Sequence, residues 1–223
     1  MILRYVGLCL DTVEYEPICG DFGFRCRYLG NFLGRAIKPL RFHADRFGAI
    51  VVRGMLEPAE RCSLREVNVL RAPVRFDRER YESLGPNEHH EFFIGMLSEG
   101  LEKCVPDFKI PIKELREGIE EFRRGGYKNE WTHQSKLLRP HGIRASLLCK
   151  MESERFVLTL VLERKDEVLF KESILETKPD ELCFYYLFKD ITIKDDTIII
   201  TNRFSALQEP LLRLDIRPLL ANQ

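Results

Sequence analysis

Hydrophobic side chains alternate with polar ones over short stretches near both ends of the chain, a spacing typical of β-strands. In the N-terminal part this pattern predicts strands at residues 2–8, 22–29, 47–53 and 64–76. Further along it predicts strands at residues 143–150, 155–163, 167–175, 182–189, 191–194, 197–202 and 211–216. Pro73 favours an edge or a bulge over a central strand. The polar breaks Lys165-Asp166 and Asp195-Asp196 suit hairpin loops, which favours antiparallel pairing.

The middle of the chain instead carries apolar side chains three and four residues apart, the spacing of a buried helix face. A first helix is predicted to begin at Pro86-Asn87, with Asn87 as its cap, and to stop at Pro106. A second is predicted to begin at Pro111 and to end at Gly125-Gly126. The polar stretch at 127–142 that follows is expected to be a loop.

These patterns together predict an α+β fold with a predominantly antiparallel β-sheet and two adjacent central amphipathic helices. We expect a single domain over residues 1–223. If it is subdivided, the parts would be a β-rich N-terminal part at 1–85, the helical pair at 86–126 and an antiparallel meander at 127–223.

Composition narrows the class of protein. The chain has 223 residues, and its 35 basic and 35 acidic side chains cancel, which argues against a general nucleic-acid binder. Seven widely spaced cysteines without a CxxC pair indicate reduced thiols in a cytoplasmic protein. No apolar run reaches the ~18 residues of a membrane helix, so no membrane partner is expected.

Motifs that carry chemistry are weak. In Glu88-His89-His90-Glu91 the two histidines are adjacent, so on a helix they point about 100° apart and cannot share a face. The HExxH spacing that would bring two histidines together on one zinc ion is absent from the sequence. Glycine-rich phosphate loops are absent from it as well. We therefore expect no metal and no cofactor.

Charge is unevenly distributed along the chain despite its zero total. Residues 22–46 and 123–144 each carry six basic side chains against a single acidic one, with aromatic residues between them. Basic and aromatic side chains together are typical of surfaces that bind single-stranded nucleic acid. Opposed basic and acidic surfaces serve equally well to steer a protein partner.

Three classes of function follow. The leading hypothesis is a non-catalytic protein-binding module, an inhibitor or immunity-type protein that masks a toxin or enzyme, with another protein as its partner. Tryptophan and arginine are enriched among interface anchors, so the candidate binding residues are Arg123, Arg124, Tyr127, Lys128, Trp131, His133 and Arg139. The first alternative is an enzyme with an unrecognised site near the helical pair and the following loop, using His89, His90, Glu91, Glu130, His133 and His141. The second is a single-stranded nucleic-acid-binding protein that uses 22–46 and 123–144.

Overall fold

The structure, a computed structural model, describes residues 1–65, 68–85, 87–165, 167–204 and 209–221. The predicted helix start at Pro86 and the turn residue Asp166 lie outside them, as do residues 66–67 of the predicted strand 64–76. The fold is α+β, as predicted, and it contains two compact units, unit 1 (residues 1–129) and unit 2 (130–223). The single-domain organisation stays a prediction.

Unit 1 is built on a sheet of strand order β1-β2-β4-β3. Its strands are β1 (Tyr5–Leu10), β2 (Ala49–Met55), β3 (Ser63–Arg65) and β4 (Val69–Arg75). Its helices are α1 (Glu16–Ile37), α2 (Arg78–Ser83), α3 (His89–Cys104) and α4 (Ile112–Arg124), with a short 3-10 helix at Lys38–Leu40. Strand β2 runs parallel to both β1 and β4, while β3 lies antiparallel to β4. The sheet of unit 1 is therefore mixed, within a fold whose strand pairs are predominantly antiparallel, as predicted.

The predicted strand at 22–29 is wrong, because these residues belong to α1. Phe22, Cys26, Leu29 and Leu33 are buried at helical spacing, whereas the alternation of Phe22, Phe24 and Tyr28 imitates a strand. Gly20, Gly23, Gly30 and Gly34 lie inside the helix. At Gly30 the absence of a side chain is required, since a Cβ would stand 2.6 Å from the main-chain oxygen of Val6. As the connection between β1 and β2, α1 provides the long crossover that parallel strands need.

Helices α3 and α4 confirm the predicted helical pair. Helix α3 packs on β2 and β4, where Gly100 lies directly against Val52. The predicted cap at Asn87 is wrong: the helix begins one residue later, after Glu88. The Glu88 side chain bends back instead and accepts the N–H of Gly85 at 2.8 Å.

Helix α4 ends as the glycine pair predicts. Gly125 caps it and Gly126 adopts a φ of +67°, a left-handed conformation that glycine takes without a steric penalty. The N–H of Gly126 bonds to the oxygen of Arg123 at 3.0 Å, and that of Tyr127 to the oxygen of Phe122 at 2.9 Å. This pair of bonds is the Schellman motif, and it fixes the direction in which Tyr127 leaves the helix.

Unit 2 contains two antiparallel sheets, of order β5-β6-β7-β8 and β11-β10-β9. Their strands are β5 (Glu130–Leu138), β6 (Ile143–Met151), β7 (Phe156–Arg164), β8 (Glu167–Thr177), β9 (Ile191–Lys194), β10 (Thr197–Ile200) and β11 (Leu212–Asp215). The remaining elements are α5 (Glu181–Phe184), α6 (Arg217–Ala221) and a 3-10 helix at Arg139–His141. Within each of these sheets, strands that are consecutive in the chain pair with each other.

Two predictions within unit 2 are wrong. The predicted strand 182–189 is helix α5 followed by a turn, because Asp180 caps this helix by accepting the N–H of Leu182 at 2.9 Å. Phe184 and Phe188, four residues apart, then reach the ring of Phe156. The polar stretch at 127–142, which was expected to be a loop, contains β5. Side chains of this strand form hydrogen bonds with the main chain at 189–191, so several of its positions are polar.

Candidate functional site

The parallel strands of unit 1 end side by side. Beyond their last residues the ladder continues, since Asp11 donates its N–H to Gly54 and Phe76 donates its N–H to Met55, both at 2.9 Å. Ligands of open sheets with parallel strands bind outside the carboxyl ends of these strands. The carboxyl edge of this sheet is therefore the expected location of a binding site.

A groove of about 890 Å³ lies at this edge. Its apolar lining comes from the segments that follow the three strands and from α3, and comprises Tyr15, Leu56, Phe76, Phe92 and Met96. Leu56 is 59% exposed, although its aromatic neighbours are buried. We call this feature the carboxyl-edge groove.

Charged side chains of both signs border the groove. Glu91 and Glu99 come from α3, Arg75 from the end of β4 and Arg78 from the start of α2. Arg78 forms an ion pair with Glu82 at 2.7 Å. The groove thus combines an apolar floor with a polar rim, the arrangement found in protein interfaces.

A group of polar and aromatic side chains from α1, α3 and the end of α4 lies at Glu91, and we call it the helix-end cluster: Tyr28, His90, Glu91, Arg123 and Tyr127. Glu91 accepts two hydrogen bonds from Arg123, at 2.9 and 2.7 Å, and one from the Tyr127 hydroxyl at 2.9 Å. The bonds from Arg123 lower the pKa of the Glu91 carboxyl, partial burial opposes them, and the bond from Tyr127 assists. Glu91 is consequently held as a carboxylate.

His90 lies between two tyrosines. The buried Tyr28 hydroxyl is 2.5 Å from His90 Nδ1, and the Tyr127 ring stacks on the imidazole with 4.6 Å between ring centres. Burial raises the pKa of Tyr28, and burial also lowers the pKa of His90. These shifts keep the Tyr28 hydroxyl protonated and favour the neutral form of the His90 imidazole, and the two groups share a hydrogen bond at Nδ1. The cluster orders the end of the helices and holds Glu91 at the groove.

The adjacent His89 points elsewhere, as the helical geometry predicts. Its ring lies 5.4 Å from that of Tyr81 and 6.0 Å from that of Phe93. The side chains of the two histidines consequently lie in different environments.

Of the predicted binding residues, Arg123 and Tyr127 enter the helix-end cluster, where they meet His90 and Glu91 from the enzyme hypothesis. Arg124 and Lys128 lie beside them in the chain and are exposed. These four belong to unit 1.

The other predicted residues belong to unit 2 and make structural contacts there. Trp131 lies 6.0 Å from Phe156 between ring centres. His133 packs edge-on against Phe188, with its Nε2 at 3.2 Å from the main-chain oxygen of Lys189. Arg139 is exposed in the 3-10 helix that follows β5.

The apolar residues that line the carboxyl-edge groove were not predicted from the sequence, although Glu91 at its border was a candidate. Tyr15, Leu56 and Phe92 follow no motif, and they come together only because three strands distant in sequence end at one edge. The detectable signal was indirect: Leu56 is an apolar residue directly ahead of the polar turn segment 57–61.

Among the described residues, no three or more His, Cys, Asp or Glu side chains are grouped so that they could hold a metal ion. Nor does any helix in the described part of the chain combine the length and apolar character needed to cross a membrane. Comparisons of the chain with protein-family models, with curated proteins and with solved structures found no match.

Proposed function

We propose that this protein is a non-catalytic binding module that holds a segment of another protein in the carboxyl-edge groove. The observation that carries the proposal is the groove itself, about 890 Å³ in volume, with the exposed side chain of Leu56 in its apolar lining and charged side chains at its border. Protein interfaces likewise have an apolar centre and a polar rim. A cytoplasmic inhibitor or immunity-type protein that masks a toxin or enzyme is the form of this function that we favour.

Charged side chains at the groove indicate the chemistry of the segment. Glu99 on α3 is exposed and suits a lysine or arginine, while Arg75 at the end of β4 is exposed and suits an acidic side chain. An aliphatic or aromatic side chain between them would cover Leu56. The expected occupant is therefore a segment with an apolar anchor and charges of both signs.

The two alternatives receive less support from the geometry. Phe22 and Tyr28 are buried, so they offer no face on which a nucleic-acid base could stack. Arg123 is engaged by two glutamates, which offsets its charge toward phosphate groups. For the enzyme hypothesis, three of the candidate residues already have partners within the protein: His90 has Tyr28, Glu91 has Arg123 and His141 has Asp196.

The test is affinity capture from lysate of the source cells, in the presence of nuclease, with three proteins compared by mass spectrometry. Wild type should retain one stoichiometric protein. Leu56→Glu, which puts a charge at the groove, should lose it. Leu137→Glu, the same change at a side chain 51% exposed in unit 2, should retain it.

A second groove variant guards against an effect of Leu56 on folding. Gly95 is exposed on α3 with no atom within 4 Å of an added Cβ, so Gly95→Arg fills the groove without strain inside the protein. Equal capture by all four proteins, or capture of nucleic acid alone when nuclease is omitted, would reject the proposal.

A further inference from the structure

A second cavity in unit 1 lies at the opposite end of β1 from the carboxyl-edge groove. Its volume is about 540 Å³. It is formed by the residues that precede β1, the last turn of α1 and the short 3-10 helix with the residue after it. We call it the α1-end cavity, and its lining comprises Ile2, Leu3, Arg4, Gly34, Lys38 and Arg41.

Main-chain hydrogen bonds hold the two sides of this cavity together. The N–H of Leu3 donates to the oxygen of Phe42 at 2.9 Å, and the N–H of Arg4 donates to the oxygen of Gly48 at 2.8 Å. The segment that carries Arg4 is therefore fixed beside the segment that carries Arg41. Cations from distant parts of the sequence are thus placed at one cavity by the backbone.

The backbone of Arg41 is unusual. Its φ of +45° and ψ of +41° are left-handed, and its N–H closes the 3-10 helix by donating to the oxygen of Lys38 at 3.3 Å. Glycine takes this conformation without a steric penalty, whereas a residue with a Cβ does so at a cost. Residues held in sparsely populated backbone regions cluster at functional sites. The presence of arginine here instead of glycine indicates a use for its guanidinium.

The charge at the α1-end cavity is strongly positive. Arg4, Lys38 and Arg41 are exposed, and no carboxylate contributes to the lining. Within the part of the chain that the structure describes, none of the three forms an ion pair. The C-terminus of α1 brings a negative dipole end equivalent to about half an elementary charge. Three cations outweigh it, so the cavity favours an anion.

The number of cations and the volume indicate which anion fits. A terminal phosphate group carries about 1.5–2 negative charges at neutral pH, which would leave one of the three cations without a partner. A diphosphate adds a second phosphate and brings the total to roughly three. The planar fork of arginine matches phosphate oxygens, and lysine binds them as a point charge. The volume of about 540 Å³ also lies within the range of ligand sites, about 300–1,000 Å³.

We propose that the α1-end cavity binds the diphosphate group of a small ligand, with Arg4, Lys38 and Arg41 as its cationic contacts. Ile2 is half-buried in the lining and provides apolar contact for the carbon atoms of the ligand. The site is separate from the carboxyl-edge groove and does not depend on the function proposed for that groove.

The test is isothermal titration of the full-length protein with pyrophosphate and with orthophosphate. The buffer has low, constant ionic strength, because salt screens exposed charges, and it contains no divalent cation that would complex the probe. Wild type should bind pyrophosphate at one site and more tightly than orthophosphate. Arg41→Gly and Arg4→Ala should each weaken pyrophosphate binding by about tenfold, the loss expected for a charge-assisted hydrogen bond.

Arg41→Gly separates binding from folding, since glycine suits the left-handed backbone and should not lower the unfolding midpoint. Two controls match it. Arg46→Ala removes an exposed charge of unit 1 outside the lining, and Lys165→Gly makes the corresponding change at an exposed basic residue of unit 2 with a φ of +47°. Both should bind pyrophosphate as wild type does.

Four results would overturn the proposal. The first is that wild type does not bind pyrophosphate, and the second is that Arg41→Gly and Arg4→Ala bind it as tightly as wild type. The third is that Arg46→Ala or Lys165→Gly loses as much affinity as the cavity variants, which would indicate diffuse attraction to positive charge. The fourth is that orthophosphate binds as tightly as pyrophosphate.

Discussion

Unit 1 pairs strands that are distant in sequence, whereas the four-stranded sheet of unit 2 pairs each strand with its neighbour in the chain. The parallel strands of unit 1 leave their carboxyl ends together at one edge, and the groove forms there. In unit 2 the polar side chains of β5 are engaged by the main chain of the same unit, as for Gln134, which accepts the N–H of Ile191 at 2.9 Å. Polar side chains of unit 1 therefore line a cavity at the sheet edge, where a ligand could contact them. The polar side chains of β5 in unit 2 instead form hydrogen bonds that stabilise the fold.

The largest expected change in stability concerns the hydrophobic core of unit 2. Phe156 is fully buried, and its ring stacks on Phe184 with 3.7 Å between ring centres. Phe156→Ala should lower the free energy of unfolding by about 3–5 kcal/mol, measured by urea denaturation. Phe204→Ala, at a ring 55% exposed, should change it by less than about 0.5 kcal/mol. Similar losses in the two variants would show that the aromatic stack is not the centre of this core.

A disulfide formed between two neighbouring cysteines would test the packing of unit 1. The buried thiols of Cys62, in the segment before β3, and Cys104, at the end of α3, lie in contact with 3.3 Å between their sulfurs. The bond with Cys104 lowers the pKa of the Cys62 thiol against the effect of burial, and the charge of Lys103 assists. Treatment with diamide should link them: both thiols lose their protons and together two electrons, and the azo group of diamide is reduced to a hydrazine.

The expected products of this oxidation are specific. Mass spectrometry after digestion should find a Cys62–Cys104 peptide lighter by two hydrogen atoms. Since the disulfide closes a loop between positions 42 apart, the free energy of unfolding should rise by about 2–4 kcal/mol. Cys62→Ser should show neither change. A pairing that involves other cysteines would contradict the geometry.

Sequence patterns predicted unit 2 more fully than unit 1, because the strands and turns of unit 2 follow from short stretches of sequence. In β7 the buried residues Phe156, Leu158 and Leu160 alternate with less buried ones, and a short turn to the next strand leaves antiparallel pairing as the simple solution. In α1 the alternation of Phe22 and Phe24 satisfied a strand period by coincidence, and only the packing of Gly30 on β1 reveals the helix. Parallel pairing is set by contacts that no local window contains.

The site shows the same division. Arg123 and Tyr127 were predicted as binding residues, and His90 and Glu91 as possible catalytic ones, because residue type and charge are visible in the sequence. Their meeting was not predictable, since it depends on how α3 and α4 pack and on the left-handed turn at Gly126. Burial of Tyr28 against them was hidden by the wrong strand prediction.

Two glycines on one helix test how closely α3 packs on the parallel sheet. At Gly100 an added Cβ would overlap the side chain of Val52, whereas at Gly95 it would meet nothing within 4 Å. Gly100→Ala should destabilise unit 1 by about 1–3 kcal/mol through overpacking. Gly95→Ala should stabilise it by up to about 1 kcal/mol, because alanine favours helix. Thermal and urea unfolding measure both, and equal shifts of the same sign would mean that helix propensity alone decides.

The smallest expected effect concerns the pH dependence that His90 confers on the helix-end cluster. Burial lowers the pKa of His90 below its ordinary 6.5, the neighbouring His89 lowers it further, and Glu91 opposes both. The unfolded chain therefore binds a proton more readily than the folded protein does. This contribution to stability is complete above pH 6.5 and declines as the pH falls toward the folded pKa. His90→Phe removes the titration, so the unfolding free energy should fall less steeply between pH 7 and pH 5 than in wild type. Tyr28→Phe keeps the buried imidazole and should retain the steeper slope, and if His90→Phe retained it as well, the source of the pH dependence would lie outside the cluster.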